Sequence, residues 1–279
     1  MKRKLMYVVI GVVIVMAVGD GVLHHYFGRT DQTGESVITA KIQQGVAPNE
    51  VFQRYRYPYQ LKITNNNAEI YSAPAGTRSA GTYGTVKSLR LNPQITGIKR
   101  ADLNHRRGEG YVQFKQRGHT FWIYSHDVAF RHLSRLRGHN PRVETAIAAG
   151  TALVGRSKYK LGSGRTAQTY AAKRFDCSSF VWYCYEHAGI KLGPLDSVTT
   201  YTLVTQGQAE PISKLHRGDL ILFSNRRQGA NNHIGIYLGN QLFLHDIGTD
   251  DTGGVGISSL RETDWHQTVN PTARRIVIH

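Results

Sequence analysis

The sequence predicts an α+β fold preceded by a smaller all-β unit, and three observations predict it. Short apolar strands separated by turn residues fill residues 57–128. Two helices follow, one opened by Asn140-Pro141 and one starting at Cys177. Strands then alternate with turns to the end of the chain. Helices first and an antiparallel sheet after them is the α+β pattern.

At the N-terminus, Lys2-Arg3-Lys4 precedes an apolar run of 14 residues from Leu5 to Val18. A basic stretch followed by a short apolar one is the layout of an export signal, with Ala17 and Gly19 at −3 and −1 for cleavage before Asp20. Retention as a membrane anchor is the alternative, since Val22, Leu23, Tyr26 and Phe27 extend the apolar stretch. A full span wants about 20 residues, and Asp20 interrupts it. Both readings put the remainder of the chain outside the cytoplasm, secreted to the wall or anchored facing outward. Residues 1–27 are read as this signal peptide or anchor. Residues 28–56, polar and mixed, with Gly34, Gly45 and Pro48, are read as a linker.

Residues 57–135 carry Leu61-Lys62-Ile63 and Ala68-Glu69-Ile70-Tyr71 on either side of Asn65-Asn66-Asn67. Tyr111-Val112-Gln113-Phe114 and Phe121-Trp122-Ile123-Tyr124 flank Arg117-Gly118-His119. Strands this short at this spacing suggest a small barrel, with the aromatic residues as its core. Residues 136–279 open with Asn140 as N-cap and Pro141 at the first helical position, in a helix running to about Gly155. The helix starting near Cys177 turns Phe180, Val181, Cys184 and Ala188 inward and stops at Gly189. Strands follow at residues 218–223, from His233, up to His245, and at residues 274–278.

A hydrophobic content of 40% with 29 glycines and 15 tyrosines suits a strand-rich globular protein and excludes a disordered one. The formal net charge of +16 calls for a polyanion or an anionic surface nearby. For an exported chain, anionic wall polymers and lipid headgroups suit better than nucleic acid, which rests on charge alone. Basic residues gather at Lys99, Arg100, Arg106 and Arg107, and again at Arg131, Arg135, Arg137 and Arg142. A solvated face is the default reading of such clusters, and binding of a wall polyanion the sharper one.

The chain has two cysteines, Cys177 and Cys184. On one helix they stand about 10.5 Å apart along the axis, beyond the ~7 Å that a disulfide tolerates between Cα atoms. Cys184 reads as core. Cys177, in the first helical turn, meets the positive end of the helix dipole, which favours thiolate, the nucleophilic form. The free N–H groups there can also hold an oxyanion. For the base, Ile234, Ile236 and Leu238 share one strand face, so His233 lies on the other. Leu242 and Leu244 share a face on the next strand, opposite Phe243 and His245. If both leucine-type faces point to the core, an odd loop at Gly239-Asn240-Gln241 sets His233 and His245 as diagonal neighbours. A strict two-residue turn would instead bring Asp246 opposite His233, so Asp246 is the fallback orienter. A zinc site from Cys177, His233 and His245 is conceivable by ligand type, but no short-spaced ligand pair supports it. No metal or cofactor is expected.

The stretches Phe175-Asp176-Cys177-Ser178-Ser179-Phe180-Val181, Arg217-Gly218-Asp219-Leu220-Ile221-Leu222-Phe223, His233-Ile234-Gly235-Ile236-Tyr237-Leu238-Gly239-Asn240 and Leu242-Phe243-Leu244-His245 together resemble the NlpC family of papain-like cell-wall cysteine peptidases. The resemblance covers residues from about 143 to 278. It implies Cys177 as nucleophile, His233 as general base and His245 as the third, polar member. Tyr159 resembles the family tyrosine that supports the oxyanion site, and Asp176 and Ser178 match positions lining the substrate site. Three departures touch substrate fit: Ser179 and Gln241 stand where glycines are usual, and Leu161-Gly162-Ser163 replaces a tryptophan and double-glycine stretch. Residues 57–135 resemble bacterial SH3-like domains through Ala68-Glu69-Ile70-Tyr71-Ser72-Ala73-Pro74 and the closing Phe121-Trp122-Ile123-Tyr124-Ser125-His126-Asp127-Val128. These resemblances imply an exported peptidoglycan hydrolase that cuts an amide of the stem peptide, most often after γ-D-glutamate and before a diamino acid, without cofactors. The alternatives are an amidase or acyltransferase of the same fold, and a wall- or polyanion-binding protein whose thiol site has decayed.

Overall fold

A computed structural model describes residues 24–25, 41–43, 51–103, 110–249 and 251–277. The apolar run 5–18, the expected cleavage point and Arg106 and Arg107 lie outside these residues. Among the described residues no helix is long and apolar enough to cross a membrane.

The first half is built of strands β1 (His24–His25), β2 (Lys41–Gln43), β3 (Val51–Arg56), β4 (Gln60–Ile63), β5 (Glu69–Tyr71), β6 (Gly81–Thr85), β7 (Gln94–Thr96), β8 (Lys99–Leu103), β9 (Gly110–Gln116), β10 (His119–Tyr124) and β11 (Val128–Phe130). They form an eight-stranded sheet ordered β1-β2-β6-β5-β10-β9-β8-β3 and a three-stranded sheet β11-β4-β7. Among the described residues the ladder does not close into a ring. Period-two burial drives the pairing: Leu61 and Ile63 on β4, and Val112 and Phe114 on β9, point inward while their neighbours face out. Arg117 and Gly118, both at positive φ, make the tight turn that joins β9 to β10. Strand β3 occupies residues 51–56, the end of the segment expected to be a linker, and pairs antiparallel with β8. Its Tyr55 and the following Tyr57 and Tyr59 pack rather than dangle.

The second half contains α1 (Pro141–Thr151), β12 (Lys158–Tyr159), α2 (Ala167–Ala171), β13 (Arg174–Phe175), α3 (Cys177–His187), α4 (Thr200–Leu203), β14 (Gln208–Pro211), β15 (Leu220–Asn225), β16 (Gly229–Gly239), β17 (Leu242–Ile247), β18 (Gly254–Ser259), α5 (Thr263–Thr268) and β19 (Thr272–Arg275). The sheet runs β14-β19-β15-β16-β17-β18 and is antiparallel throughout, so the fold is α+β. Asn140 caps α1 by accepting the N–H groups of Arg142 and Val143 at 3.1 and 3.3 Å. The helix ends at Thr151, short of the expected Gly155, and turns carry the chain to that glycine at φ 70°. Helices α1 and α3 lie together because Gly150 has no side chain: a Cβ there would stand 2.7 Å from the Cys184 sulfur.

Both faces of the sheet are covered. On one, Ile234, Ile236, Leu238, Leu242 and Leu244 join α1 and α3 in an apolar cluster that continues into the first half through Tyr57, Tyr59 and Leu61. On the other, Phe223, Tyr237, Phe243 and Ile247 pack with Trp265 of α5. The seam between the halves also holds a buried polar cluster. Arg100 lies 2.7 Å from Asp102 and 3.2 Å from Glu262. Tyr57 donates to Glu262 at 3.0 Å, and the Thr263 hydroxyl donates to Asp102 at 2.7 Å. Arg100, expected on a solvated basic face, is only 5% exposed. A guanidinium can be buried when carboxylates pair with it, and here they come from both halves of the chain.

Candidate active site

Helix α3 begins at the thiol because Asp176 caps it. The Asp176 carboxylate accepts the Ser179 N–H at 2.9 Å, and the Ser179 hydroxyl accepts the Asp176 N–H at 3.0 Å, a reciprocal capping box. Ser179 therefore has its own work where a glycine was the usual residue. Its hydroxyl also donates to the Ser163 carbonyl at 2.8 Å, and Gly164 gives it room, since a Cβ on Gly164 would fall 2.5 Å from that oxygen. Strand β12 pairs with β13 so that Tyr159 stands beside Phe175, two residues before the thiol.

Cys177, Tyr159, Asp176, Ser178 and His233 line one cleft of about 480 Å³. His245 sits beneath it, fully buried, with its Nδ1 3.0 Å from Nε2 of His233. The register explains this approach. Gly235 lies opposite His245, which makes His233 its diagonal neighbour. The connection is a two-residue turn, Asn240-Gln241, both at positive φ, with a bulge between Tyr237 and Gly239. That bulge supplies the odd residue that parity required, and it keeps Asp246 opposite Ile234 instead of His233. Asp246 is therefore not the orienter. Glycines flank His245 on both neighbouring strands, Gly235 on β16 and Gly256 on β18, and leave space for the rings. A Cβ on Gly235 would stand 3.3 Å from Cβ of His245 and 2.9 Å from the Phe243 ring. Trp265 packs against both rings, 5.2 Å from the His233 ring and 5.0 Å from the His245 ring, centre to centre.

The electrostatics of the thiol differ from the sequence expectation. Burial pushes Cys177 up to about 12, the adjacent Asp176 carboxylate pushes the same way, and the N–H groups of Ile234 and Ser178 pull back less strongly. A helix terminus is worth about 0.3–1 kcal/mol, too little to offset the desolvation of an anion. Burial thus works against the thiolate at Cys177, and a neighbouring base that takes the proton would work for it. Asp176 behaves oppositely. Burial raises its carboxyl, but hydrogen bonds from Arg165 and the Ser179 N–H outweigh that and hold it below its ordinary range. Asp246, fully buried beside this group, has neither oxygen hydrogen-bonded among the described residues. Burial, with the Asp176 charge adding, pushes it up to about 8.

Sequence reasoning missed three participants. Arg165 donates to Asp176 at 2.6 Å, to Ser178 Oγ at 2.9 Å and to the Val198 carbonyl at 2.7 Å, tying three segments around the cleft. Ser258 meets Nε2 of His245 at 3.0 Å, and Asp251 accepts from Ser258 at 3.1 Å. Arg165 and Asp251 belong to loops rich in Gly, Ser and Thr, where no periodicity marks a side chain; Ser258 lies on β18 and carries only a strand-parity signal.

Comparison with known proteins gives two matches along the chain: residues 155–274 to the NlpC/P60 family, and residues 53–129 to the GW (Gly-Tryp) dipeptide domain. The chain is 43% identical over 135 residues to the peptidoglycan DL-endopeptidase CwlO of Bacillus licheniformis, covering 48% of this chain and 28% of that one. It is 35% identical over 121 residues to the murein DD-endopeptidase MepS/murein LD-carboxypeptidase of Escherichia coli K12, covering 43% of this chain and 56% of the other. It thus spans about a quarter and about half of the length of these relatives. Among solved structures, the peptidoglycan hydrolase RipB of Mycobacterium tuberculosis aligns over 53% of this chain and 71% of its own, at 25% identity and a TM-score of 0.40. The chain carries an NlpC/P60 family domain over residues 155–274, preceded by a GW domain, an SH3-like fold, over residues 53–129.

Proposed function

We propose that the protein is a peptidoglycan hydrolase that cleaves an amide of the stem peptide with Cys177 as nucleophile, His233 as general base and His245 as its orienter. The observation that carries this reading is the 3.0 Å contact between the two imidazoles, with His233 and Cys177 on the wall of one cleft. The similarity to endopeptidases of the cell wall supports it. Because burial disfavours the thiolate, proton transfer to His233 accompanies attack on the carbonyl carbon. The C–S bond forms, the carbonyl electrons move to oxygen, and N–H groups at the start of α3 with the Tyr159 hydroxyl hold that oxyanion. Collapse expels the amine, which takes the proton from His233 and leaves a thioester. Water, giving its proton to His233, then releases the acid and the thiol.

The bond proposed is the one between γ-D-glutamate and the diamino acid, with Asp176 and Ser178 lining the site. We place the reaction outside the cytoplasm, as the basic and apolar N-terminal stretch implies, with residues 57–135 and the exposed arginines Arg135, Arg137 and Arg142 holding the enzyme to anionic wall polymers. The test is incubation of the purified full chain with cell walls, followed by mass spectrometry of the released muropeptides. Stem-peptide fragments with new amine termini are expected, and Cys177→Ala abolishes them. Equal release by both proteins overturns the thiol mechanism, and wall binding without release overturns the hydrolase.

A further inference from the structure

Behind His245 the hydrogen bonds continue in one direction, and donor chemistry fixes which. The indole of Trp265 can only donate, and its Nε1 lies 2.9 Å from Oδ2 of Asp251. A carboxylate can only accept, so the Ser258 hydroxyl, 3.1 Å from the same oxygen, spends its single proton there. Its oxygen is then left as an acceptor toward Nε2 of His245 at 3.0 Å. A neutral imidazole with its proton on Nε2 has a lone pair on Nδ1. That lone pair faces Nε2 of His233 at 3.0 Å, which must therefore carry a proton.

We propose that Asp251, acting through Ser258, sets the tautomer of both imidazoles so that His233 keeps Nδ1 unprotonated and ready for the Cys177 thiol. Asp251 and Ser258 are positioning residues, acting on His233 through His245. Asp251 is 7% exposed and Ser258 2%, so both links are largely shielded from solvent. Trp265 has two duties, since its ring lies against both imidazoles while its N–H anchors the carboxylate that orders them. With the chain reversed, Nδ1 of His245 would hold the proton, Nε2 of His233 would accept it, and the proton of neutral His233 would sit on Nδ1, blocking the base. When His233 has taken the thiol proton on Nδ1, its Nε2–H still donates to His245, and the Asp251 charge lies along the same line, 3.8 Å from Nε2 of His245.

This inference rests on the hydrolase reading for its purpose but not for its test. The experiment is nitrogen NMR of the full chain with 15N-labelled histidine, recording the ring nitrogens of residues 233 and 245, alongside wall-hydrolysis rates. In the unaltered protein, Nε2 of both rings is expected protonated and Nδ1 of both unprotonated. Ser258→Ala and Asp251→Ala are expected to bring Nδ1–H forms into both rings. They should also lower kcat at least about 10-fold, within the about 10²–10⁴-fold of a general base, with KM within about 2-fold. Ser258→Thr, which keeps the hydroxyl, restores tautomer and rate. A proton on Nδ1 of His245 in the unaltered protein, or tautomers unmoved by Ser258→Ala, overturns the proposal. Should Asp251→Ala not fold, the unaltered spectrum and the two residue-258 variants still decide. Correct tautomers with no wall release would defeat the hydrolase reading alone, and wall release with reversed tautomers would defeat this relay alone.

Discussion

Arg165 grips Asp176 through both carboxylate oxygens, at 2.6 and 3.3 Å, one residue before the thiol. Asp176 also accepts from the Gly162 N–H at 3.0 Å and caps α3, so its lone pairs are committed to holding the cleft wall in shape. Replacing Arg165 by Met leaves that carboxylate buried without its cation and should cost about 3 kcal/mol of stability. The sign with pH follows from the lowered Asp176 carboxyl: its stabilising contribution is present above the unfolded-state value and is lost as pH falls through the folded-state one. Urea unfolding should therefore show the Arg165→Met deficit largest near neutral pH and shrinking toward acid. A deficit independent of pH would mean the pair contributes nothing specific.

Asp246 should make the protein less stable as pH rises. Its folded-state value, about 8, lies above the unfolded one. Its contribution is thus complete below the unfolded-state value and is lost progressively up to about pH 8. In Asp246→Asn nothing titrates at that position. The stability of the unaltered protein relative to this variant should fall by up to about 1.4 kcal/mol per pH unit across that window, measured by urea unfolding at several pH values.

Leu161 and Tyr201 are 79% and 61% exposed, and both line the cleft mouth. Large apolar side chains left in water beside a polar cleft suit contact with a ligand. Changing either to Ser should raise KM for a stem peptide about 10-fold, equivalent to about 1.4 kcal/mol, with kcat within about 2-fold, because the contact is made equally in ground and transition states. A fall in kcat at unchanged KM would instead place them in the chemistry.

Arg100 joins the two halves, and removing it should loosen both. Arg100→Met leaves Asp102 and Glu262 buried without their cation, at an expected cost of about 3–5 kcal/mol. Glu262 is already pushed upward by burial against the pull of Arg100. The deficit should shrink as pH falls and Glu262 protonates. Differential scanning calorimetry at pH 7.5 and 5 checks this; an equal Tm loss at both values counts against the charge argument.

Local chemistry was enough to read much of this protein from its residues. The α3 start near Cys177, the Asn140 cap, the period-two faces of β4, β9, β16 and β17, and the preference for His245 over Asp246 beside His233 all follow from short-range rules of capping and strand parity. Those rules concern residues within a few positions of each other, and a sequence carries them directly. Folding alone decided what depends on desolvation and on partners far along the chain. The thiol that a helix terminus should acidify is instead pushed upward by burial. Arg100, counted with the surface charge, is enclosed by Asp102 and by Glu262 from the other half. Asp246 is excluded as orienter by a single bulge. Ser258 and Asp251 reach His245 only because β18 and the loop before it fold back onto β17, a juxtaposition to which neither hydrophobic period nor local spacing contributes.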